Sequence, residues 1–450
     1  MTPSEPQHKE PGSSAVGLLQ RLIRFDTSNP PGNEAACIAF IGRQLEDAGL
    51  ETVTLAADPT RPNLVARLRG RDEAPPLLLY GHVDVVPAAH SAWTHPPFSG
   101  AIADGCVWGR GALDMKGGLA MMIASLQRIA ESGTRPAGDI VFAAVADEEA
   151  GGAVGARFLV EQHAERFAGV RHAVGEFGAF PLSIGSRTVY AVQVAEKSPC
   201  LATVTVRGAG GHGARVTRGQ AMAQLSALLR RLDRKPFPIQ LSQATARMVR
   251  AMATATPGVA GWALRGLLVR PLAGALLHLL GSSVEMLEPL FRNTATPTVV
   301  NAGGKANVVP SSIDVSLDCR LLPGTEPETF LRQLRRIIGP FPEVRLDCLG
   351  DAPDHVDLSL LPTLSTILAE RTSGAPTVPL LLPASTDARF LARLGIQSYG
   401  FTPMDLPHSF PFFEMIHAAN ERIPIHCLEF GTECMLELIR RYGDTAAAFV

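Results

Sequence analysis

An apolar run, LLLYGHVDVVP (77–87), closes on His82 and Asp84, two residues apart. Residues i and i+2 of a strand project to one face, and ligands of open α/β sheets gather at the carboxyl ends of the strands. The pair therefore reads in two ways: a hydrogen-bonded core histidine, or a metal-ligating imidazole whose orientation Asp84 fixes from behind. GRGALDMKGG (109–118) sets Asp114 just before a helical pattern, where an aspartate is an ordinary N-cap. ADEEAGG (146–152) brings Asp147, Glu148 and Glu149 in succession out of a buried strand. Adjacent carboxylates repel unless cations or a shared proton relieve them, and a solvated acidic turn is the plainer alternative. Glu176 ends a further apolar run in HAVGEFGAF. Together these place acids or histidine at three or four successive strand ends of one layer. Oxygen and nitrogen donors of this kind suit zinc, cobalt or manganese, and two ions about 3.5–4 Å apart can share a bridging carboxylate.

The elements that must position these residues follow from periodicity. Residues 34–48 and 117–132 carry apolar positions at helical spacing, whereas 63–69, 77–86 and DIVFAAVA (139–146) read as strands. Such alternation predicts an α/β domain, a mixed sheet flanked by helices. From about residue 190 the order becomes strand (CLATVTVRG), helix (218–233), strands (TPTVVNAG, IDVSLDCRL), helix (326–338), strand (EVRLDCL). That β-α-β-β-α-β order is one signature of a ferredoxin-like α+β sandwich. The chain is therefore divided as 1–189, an inserted domain 190–350, and 351–450 returning to the first domain. The polar, Pro-rich residues 1–14 read as a frayed tail without the basic start and apolar run of a secretory signal.

Composition narrows the classes of function. A chain of 450 residues exceeds the usual single core. The formal net charge of −2 offers no basic footprint for nucleic acid. Seven cysteines, scattered and odd in number, argue against a disulfide framework and for a reducing, cytoplasmic setting. The longest apolar stretch, 258–281, is interrupted by Arg265, Arg270 and Pro271. Charges at mid-membrane cost roughly 2.5–3.5 kcal/mol each, so no spanning helix is expected.

GHVDVVP, GRGALDMKGG, DEEAGG, GEFG and HAANERIP together resemble the dinuclear-zinc metallopeptidase family of aminoacylase, acetylornithine deacetylase, succinyl-diaminopimelate desuccinylase and glutamate carboxypeptidase. The resemblance spans essentially the whole chain and implies a catalytic domain with an inserted lid domain. It implies two Zn²⁺ ions, with Co²⁺ or Mn²⁺ as substitutes. His82 and Glu176 would hold one, Glu149 and His417 the other, and Asp114 would bridge them. Glu148 would be the general base, with Asp84 behind His82. On extended backbone neighbouring side chains point apart, which would let Glu149 face the metal and Glu148 the water. His408, nine residues before His417, is the rival ligand; His417 is preferred for its HAANER context. A glutamate at 176, where dipeptidase-like and tripeptidase-like members tend to carry aspartate, leans toward aminoacylases and carboxypeptidases.

In the inserted domain, His212 in GAGGHG matches the lid histidine that polarises the scissile carbonyl, in cis or in trans. Asn307 in KANVVP matches an asparagine near the substrate, and Arg320 in LDCRLLPG matches the arginine that grips a free carboxylate, a task suited to a guanidinium fork. A structural salt bridge is the plainer reading of Arg320. PASTDARF (383–390) resembles the family's G-T-D-A-R loop, with Ser385 in place of the glycine. The RNT…PT…G-x-K-x-N-V-V-P run is similar to the branch of carboxypeptidase S and the N-fatty-acyl-amino-acid hydrolases. The extra segment 234–290 is expected to add helices to the lid, and its apolar character raises the hypothesis of a bound acyl chain.

The expected substrate is an N-acyl amino acid or short peptide, and the expected protein a monomer or homodimer. A dipeptidase, or a deacetylase or desuccinylase of amino-acid biosynthesis, is the alternative within the family. Two distant classes remain. GAGGHG also satisfies G-x-G-x-x-G, but Asp233, the nearest downstream acid, is not at a strand end where a ribose contact belongs. An inactive metal-binding module would keep the ligands without catalysis.

Overall fold

The computed structural model describes residues 14–88, 92–184, 187–215, 218–280, 287–340, 342–349 and 353–443. Two compact units divide the chain: Met1–Val194, Asp357–Pro379 and Phe390–Val450 in the first, Ala195–Val356 and Leu380–Arg389 in the second. The expected tail 1–14 lies outside the described residues except Ser14. That residue is no part of a frayed end, since its hydroxyl accepts from the Gly17 amide at 3.1 Å and caps the helix Ala15–Ile23.

The first unit is built on a nine-stranded mixed sheet that runs, from one edge, through Glu51–Leu55, Asn63–Leu68, Ile140–Val145, Leu77–His82, His172–Gly175 and Gln397–Gly400. Its centre is three parallel neighbours. Leu77–His82 pairs with Ile140–Val145 on one side, His82 opposite Val145, and with His172–Gly175 on the other. Both Leu77–His82 and Ile140–Val145 are buried at every position, so their continuous apolar sequences suit parallel strands covered on two faces. On one face, Leu78, Tyr80, Val141 and Ala143 pack with Leu159, Val160 and Phe390. The helix Lys116–Glu131 is buried almost all round and packs against the helices Ala15–Ile23 and Ile425–Arg441.

The second unit holds a four-stranded antiparallel sheet in the order Thr294–Asn301, Ser312–Leu321, Ser198–Arg207, Glu343–Cys348. Helices Ala221–Arg234 and Pro327–Ile338 contribute Leu228, Phe330 and Leu334 to a core shared with Val204, Ile313, Val315 and Leu317. Strand alternation and helical spacing thus meet on one buried side, the ferredoxin-like arrangement. The extra segment forms the helices Gln243–Ala255, Val259–Gly266 and Arg270–Leu280. Ser242 caps the first through the Thr245 amide.

The reading of the cysteines needs a correction. Cys200 and Cys348 stand directly opposite in adjacent strands and are joined by a disulfide. The pairing follows from sheet order, which sets the unit's first strand beside its last. The other five cysteines are free and buried.

Candidate metal centre

The three central parallel strands deliver their carboxyl ends to one rim. His82 is the last residue of its strand, Glu148 and Glu149 follow Ile140–Val145 after a short turn, and Glu176 follows His172–Gly175 immediately. Asp114 precedes the helix Lys116–Glu131, but it does not cap it: Met115 holds the N-cap position with no side-chain hydrogen bond. The Asp114 carboxylate turns to the rim instead. Its Oδ1 lies 3.1 Å from His82 Nε2, and its Oδ2 lies 3.2 Å from His417 Nε2. Glu176 Oε2 is 3.3 Å from His82 Nε2, and Glu149 Oε2 is 3.3 Å from His417 Nε2.

Two triads result, His82–Asp114–Glu176 and Asp114–Glu149–His417, each with ligand atoms within 4.8 Å of one another. Asp114 belongs to both, with one oxygen in each. Several observations fit this donor set to a pair of cations. Three carboxylates converge with two imidazoles, and Glu149 Oε1 is buried with no hydrogen-bond partner. Burial alone would push His82 toward the neutral form, but the charge of Glu176 and hydrogen bonds to Asp114 and Asp84 outweigh it and hold its pKa well above the usual value. Hydrogen bonds donated to Asp114 and then to Glu149 raise His417 to about 10. Glu176 goes up, chiefly through burial, with the Asp114 and Glu149 charges adding to it. This is the signature of surplus negative charge in a confined space, which a divalent cation relieves.

The surroundings fix how the donors are presented. His82 Nδ1–H donates to the main-chain carbonyl of Asp84 at 3.0 Å, so in the neutral ring the lone pair sits on Nε2 and faces the rim. The Asp84 carboxylate lies 3.6 Å from that nitrogen and has a further task. It accepts the backbone amides of Glu148 and Glu149, each at 3.1 Å, and the Asn29 side chain at 2.8 Å. Glu148–Ala150 is a 3₁₀ turn, which corrects the extended backbone expected there. Neighbouring side chains still diverge, by about 120° at three residues per turn.

Several positioning residues escaped the sequence reading. Glu421, fully buried, accepts the Arg110 guanidinium at 2.7 Å and the amides of Gly111, Leu113 and Asp114 at 3.1, 2.8 and 3.1 Å. Arg110 also donates to the carbonyls of His417 and Ala418. One buried ion pair therefore ties the Asp114 loop to the His417 loop. Gly111, at φ +86°, adopts a left-handed conformation that L side chains rarely take. Asp147, Phe177 and His417 carry positive φ without being glycine, each within two residues of a candidate ligand, a conformation worth about 1–3 kcal/mol of strain. Asp147 is held by Arg61 at 2.9 Å and by Asn29 at 3.2 Å. Both Asn29 and Arg61 lie outside the quoted motifs, and nothing in their local sequence signals the contact.

His408 joins neither triad; it contacts the hydroxyls of Ser183 and Thr188 at 3.3 and 3.1 Å. The remaining candidates belong to the second unit. His212 lies on a two-residue strand paired with Val308–Val309, exposed, its Nδ1 accepting the Ala214 amide. Exposed Asn307 accepts the Gly213 amide through its carbonyl at 2.8 Å. The GAGGHG run thus enters a short bridge rather than a helix, which begins only at Ala221. Arg320 grips Asp318 with both arms of its fork, at 2.9 and 3.1 Å, and donates to Ser385 Oγ at 3.0 Å. The serine that replaces the family's glycine is therefore an Arg320 partner.

Two histidine–carboxylate triads at one rim of a mixed sheet make a candidate dinuclear metal centre. Residues 78–441 match Peptidase family M20/M25/M40, and the chain belongs to that family. It is 28% identical over 387 residues to "Probable carboxypeptidase S-like 2" of Dictyostelium discoideum, covering 81% of this chain and 71% of that one. It is also 28% identical over 397 residues to "N-fatty-acyl-amino acid synthase/hydrolase PM20D1" of Bos taurus, covering 84% and 76%. Among solved structures, the M20 metallo-carboxypeptidase Sso-CP2 of Sulfolobus solfataricus shares the fold with a TM-score of 0.70 at 15% identity, over 97% of this chain and all of that one.

Proposed function

We propose that the protein hydrolyses the amide bond between an acyl or peptidyl group and an amino acid bearing a free carboxylate. The observation that carries this reading is Asp114, which offers one oxygen to each of two histidine–carboxylate triads. His82, Asp114 and Glu176 would hold one divalent ion, and Asp114, Glu149 and His417 the other. When bound, such a pair polarises a carbonyl and acidifies a water. Glu148 takes the proton of the attacking water and returns it to the leaving amine, a transfer that suits a carboxylate fixed through its own amide by Asp84. His212 polarises the scissile carbonyl, and Asn307 contacts the substrate nearby. Arg320 binds the substrate carboxylate, which must compete with Asp318 for the same fork.

An activity screen over N-acetyl and long-chain N-acyl amino acids and dipeptides, with and without chelator, tests the reading. Hydrolysis of free-carboxylate substrates that vanishes on chelation and returns with zinc or cobalt is expected; activity in metal-free protein would refute it. A steep preference for acetyl substrates would remove the acyl-chain role considered for the extra segment. Arg320→Ala should lower kcat/KM for free-carboxylate substrates roughly tenfold or more and leave their amides nearly unchanged. Equal losses on both would remove its assigned role.

A further inference from the structure

The helices Val259–Gly266 and Arg270–Leu280 have apolar side chains on both faces. Leu267, Ala273 and Leu277 are buried and anchor them to the second unit. Outward, where a surface helix ordinarily carries charge, stand Val259 at 85% exposure, Trp262 at 71%, Leu272 at 51% and Val269 at 48%. Large apolar side chains exposed together on two consecutive helices point to an interaction site. The charges carried by the segment itself have one sign. Residues 234–284 contain no aspartate or glutamate but include Arg234, Lys235, Arg247, Arg250, Arg265 and Arg270. Arg265 and Arg270 are exposed among the apolar side chains, and the Arg265 guanidinium lies 5.4 Å from the Trp262 ring centroid.

We propose that this face docks on an anionic lipid surface. An exposed tryptophan and aliphatic side chains suit the boundary between headgroups and acyl chains, and arginines suit anionic headgroups. The helices lie on the surface rather than cross it. Among the described residues no single helix is long and apolar enough to span a membrane, and Val259–Gly266 and the following helix are bent by 118°. At 1.5 Å per residue neither exceeds about 17 Å, roughly half a hydrocarbon core. Self-docking is disfavoured, because in two facing copies the exposed Arg265 and Arg270 would repel their counterparts. The proposal does not depend on the reaction assigned above.

The full-length protein should sediment with vesicles of phosphatidylcholine mixed with phosphatidylglycerol and at least tenfold less with phosphatidylcholine alone, since each basic side chain near an anionic surface contributes about fivefold. Binding should shift tryptophan emission to the blue. Trp262→Ser/Leu272→Ser should lose tenfold or more in binding, and so should Arg265→Glu/Arg270→Glu, whose exposed substitutions leave the fold intact. Far-UV circular dichroism and hydrolysis of an N-acetyl amino acid, which has no long acyl chain, should be unchanged in both. Failure to bind the anionic vesicles overturns the proposal, as does undiminished binding by the arginine variant. It is also overturned if analytical ultracentrifugation shows a dimer that Trp262→Ser dissociates while vesicles are ignored, or if only an acidic protein is bound. Vesicle binding without hydrolysis would count against the reaction and not against this surface.

Discussion

Asp84 receives the amides of both Glu148 and Glu149 while its carbonyl holds His82 Nδ1, so one residue sets the aim of a candidate ligand and of the turn that carries the proposed base. This separation of roles makes Glu148 testable on its own. Glu148→Gln keeps the amide that bonds to Asp84 and removes only the proton acceptor. The expected outcome is a fall in kcat of about 10²–10⁴-fold with two metal equivalents retained by elemental analysis. Glu421 behaves differently, because it touches no ligand atom and acts through the Asp114 amide and through Arg110. Glu421→Gln leaves the Arg110 charge buried with less than its full partner, a change worth about 3 kcal/mol or more. Tm should fall, and metal affinity measured by equilibrium dialysis should drop roughly 10–100-fold, as when a residue behind a ligand is lost. Loss of activity with unchanged metal affinity would assign Glu421 to another role.

At the scale of elements, periodicity carried most of the fold and proximity carried little. The i, i+2 geometry of His82 and Asp84 and the acids after Ile140–Val145 and His172–Gly175 were legible because neighbouring parallel strands share a rim. The Arg110–Glu421 pair was not, since its members are 311 residues apart and only the closed fold brings them together. The same holds for Cys200 and Cys348, whose bond depends on sheet order rather than spacing. Lys197, between the strands Arg187–Glu196 and Ser198–Arg207, was also unread. It is fully buried and donates to the carbonyls of Pro289 and Arg292 at 3.2 and 2.9 Å and to the Thr294 hydroxyl at 3.3 Å. Burial, with the Arg320 charge adding to it, pushes its pKa from 10.5 down to about 7. Between those values the unfolded chain binds a proton that the folded one lacks, so stability rises with pH across this window. Below about pH 7 both forms are protonated and the full cost of burial is present. Lys197→Met should therefore flatten the rise in Tm between pH 7 and pH 10 relative to the parent, as followed by thermal denaturation. An unchanged slope would mean that the three acceptors keep the ammonium charged.

For the whole molecule, the metal centre joins segments that the chain keeps far apart. His82, Asp114, Glu149, Glu176 and His417 come from five stretches, and three of the five are carboxylates, with Asp114 in a group with each of the other two. Folding without cations must hold those charges together; with them, on the reading proposed above, repulsion would give way to six ligand contacts, two of them from Asp114. Ions that bind the folded state and not the unfolded one stabilise by RT ln(1 + [L]/Kd), about 4 kcal/mol for each site at a thousandfold excess over Kd. Dialysis against a chelator should consequently lower Tm by several degrees as well as abolish hydrolysis, and added zinc should restore both. The Asp114→Asn variant discriminates between one site and two. Its carboxamide can give a cation only one good oxygen donor, so a shared ligand predicts that the stoichiometry falls and that zinc recovers only part of the Tm. If Asp114→Asn still binds two equivalents and recovers the whole of the thermal shift, the two triads are held independently and Asp114 is no bridge.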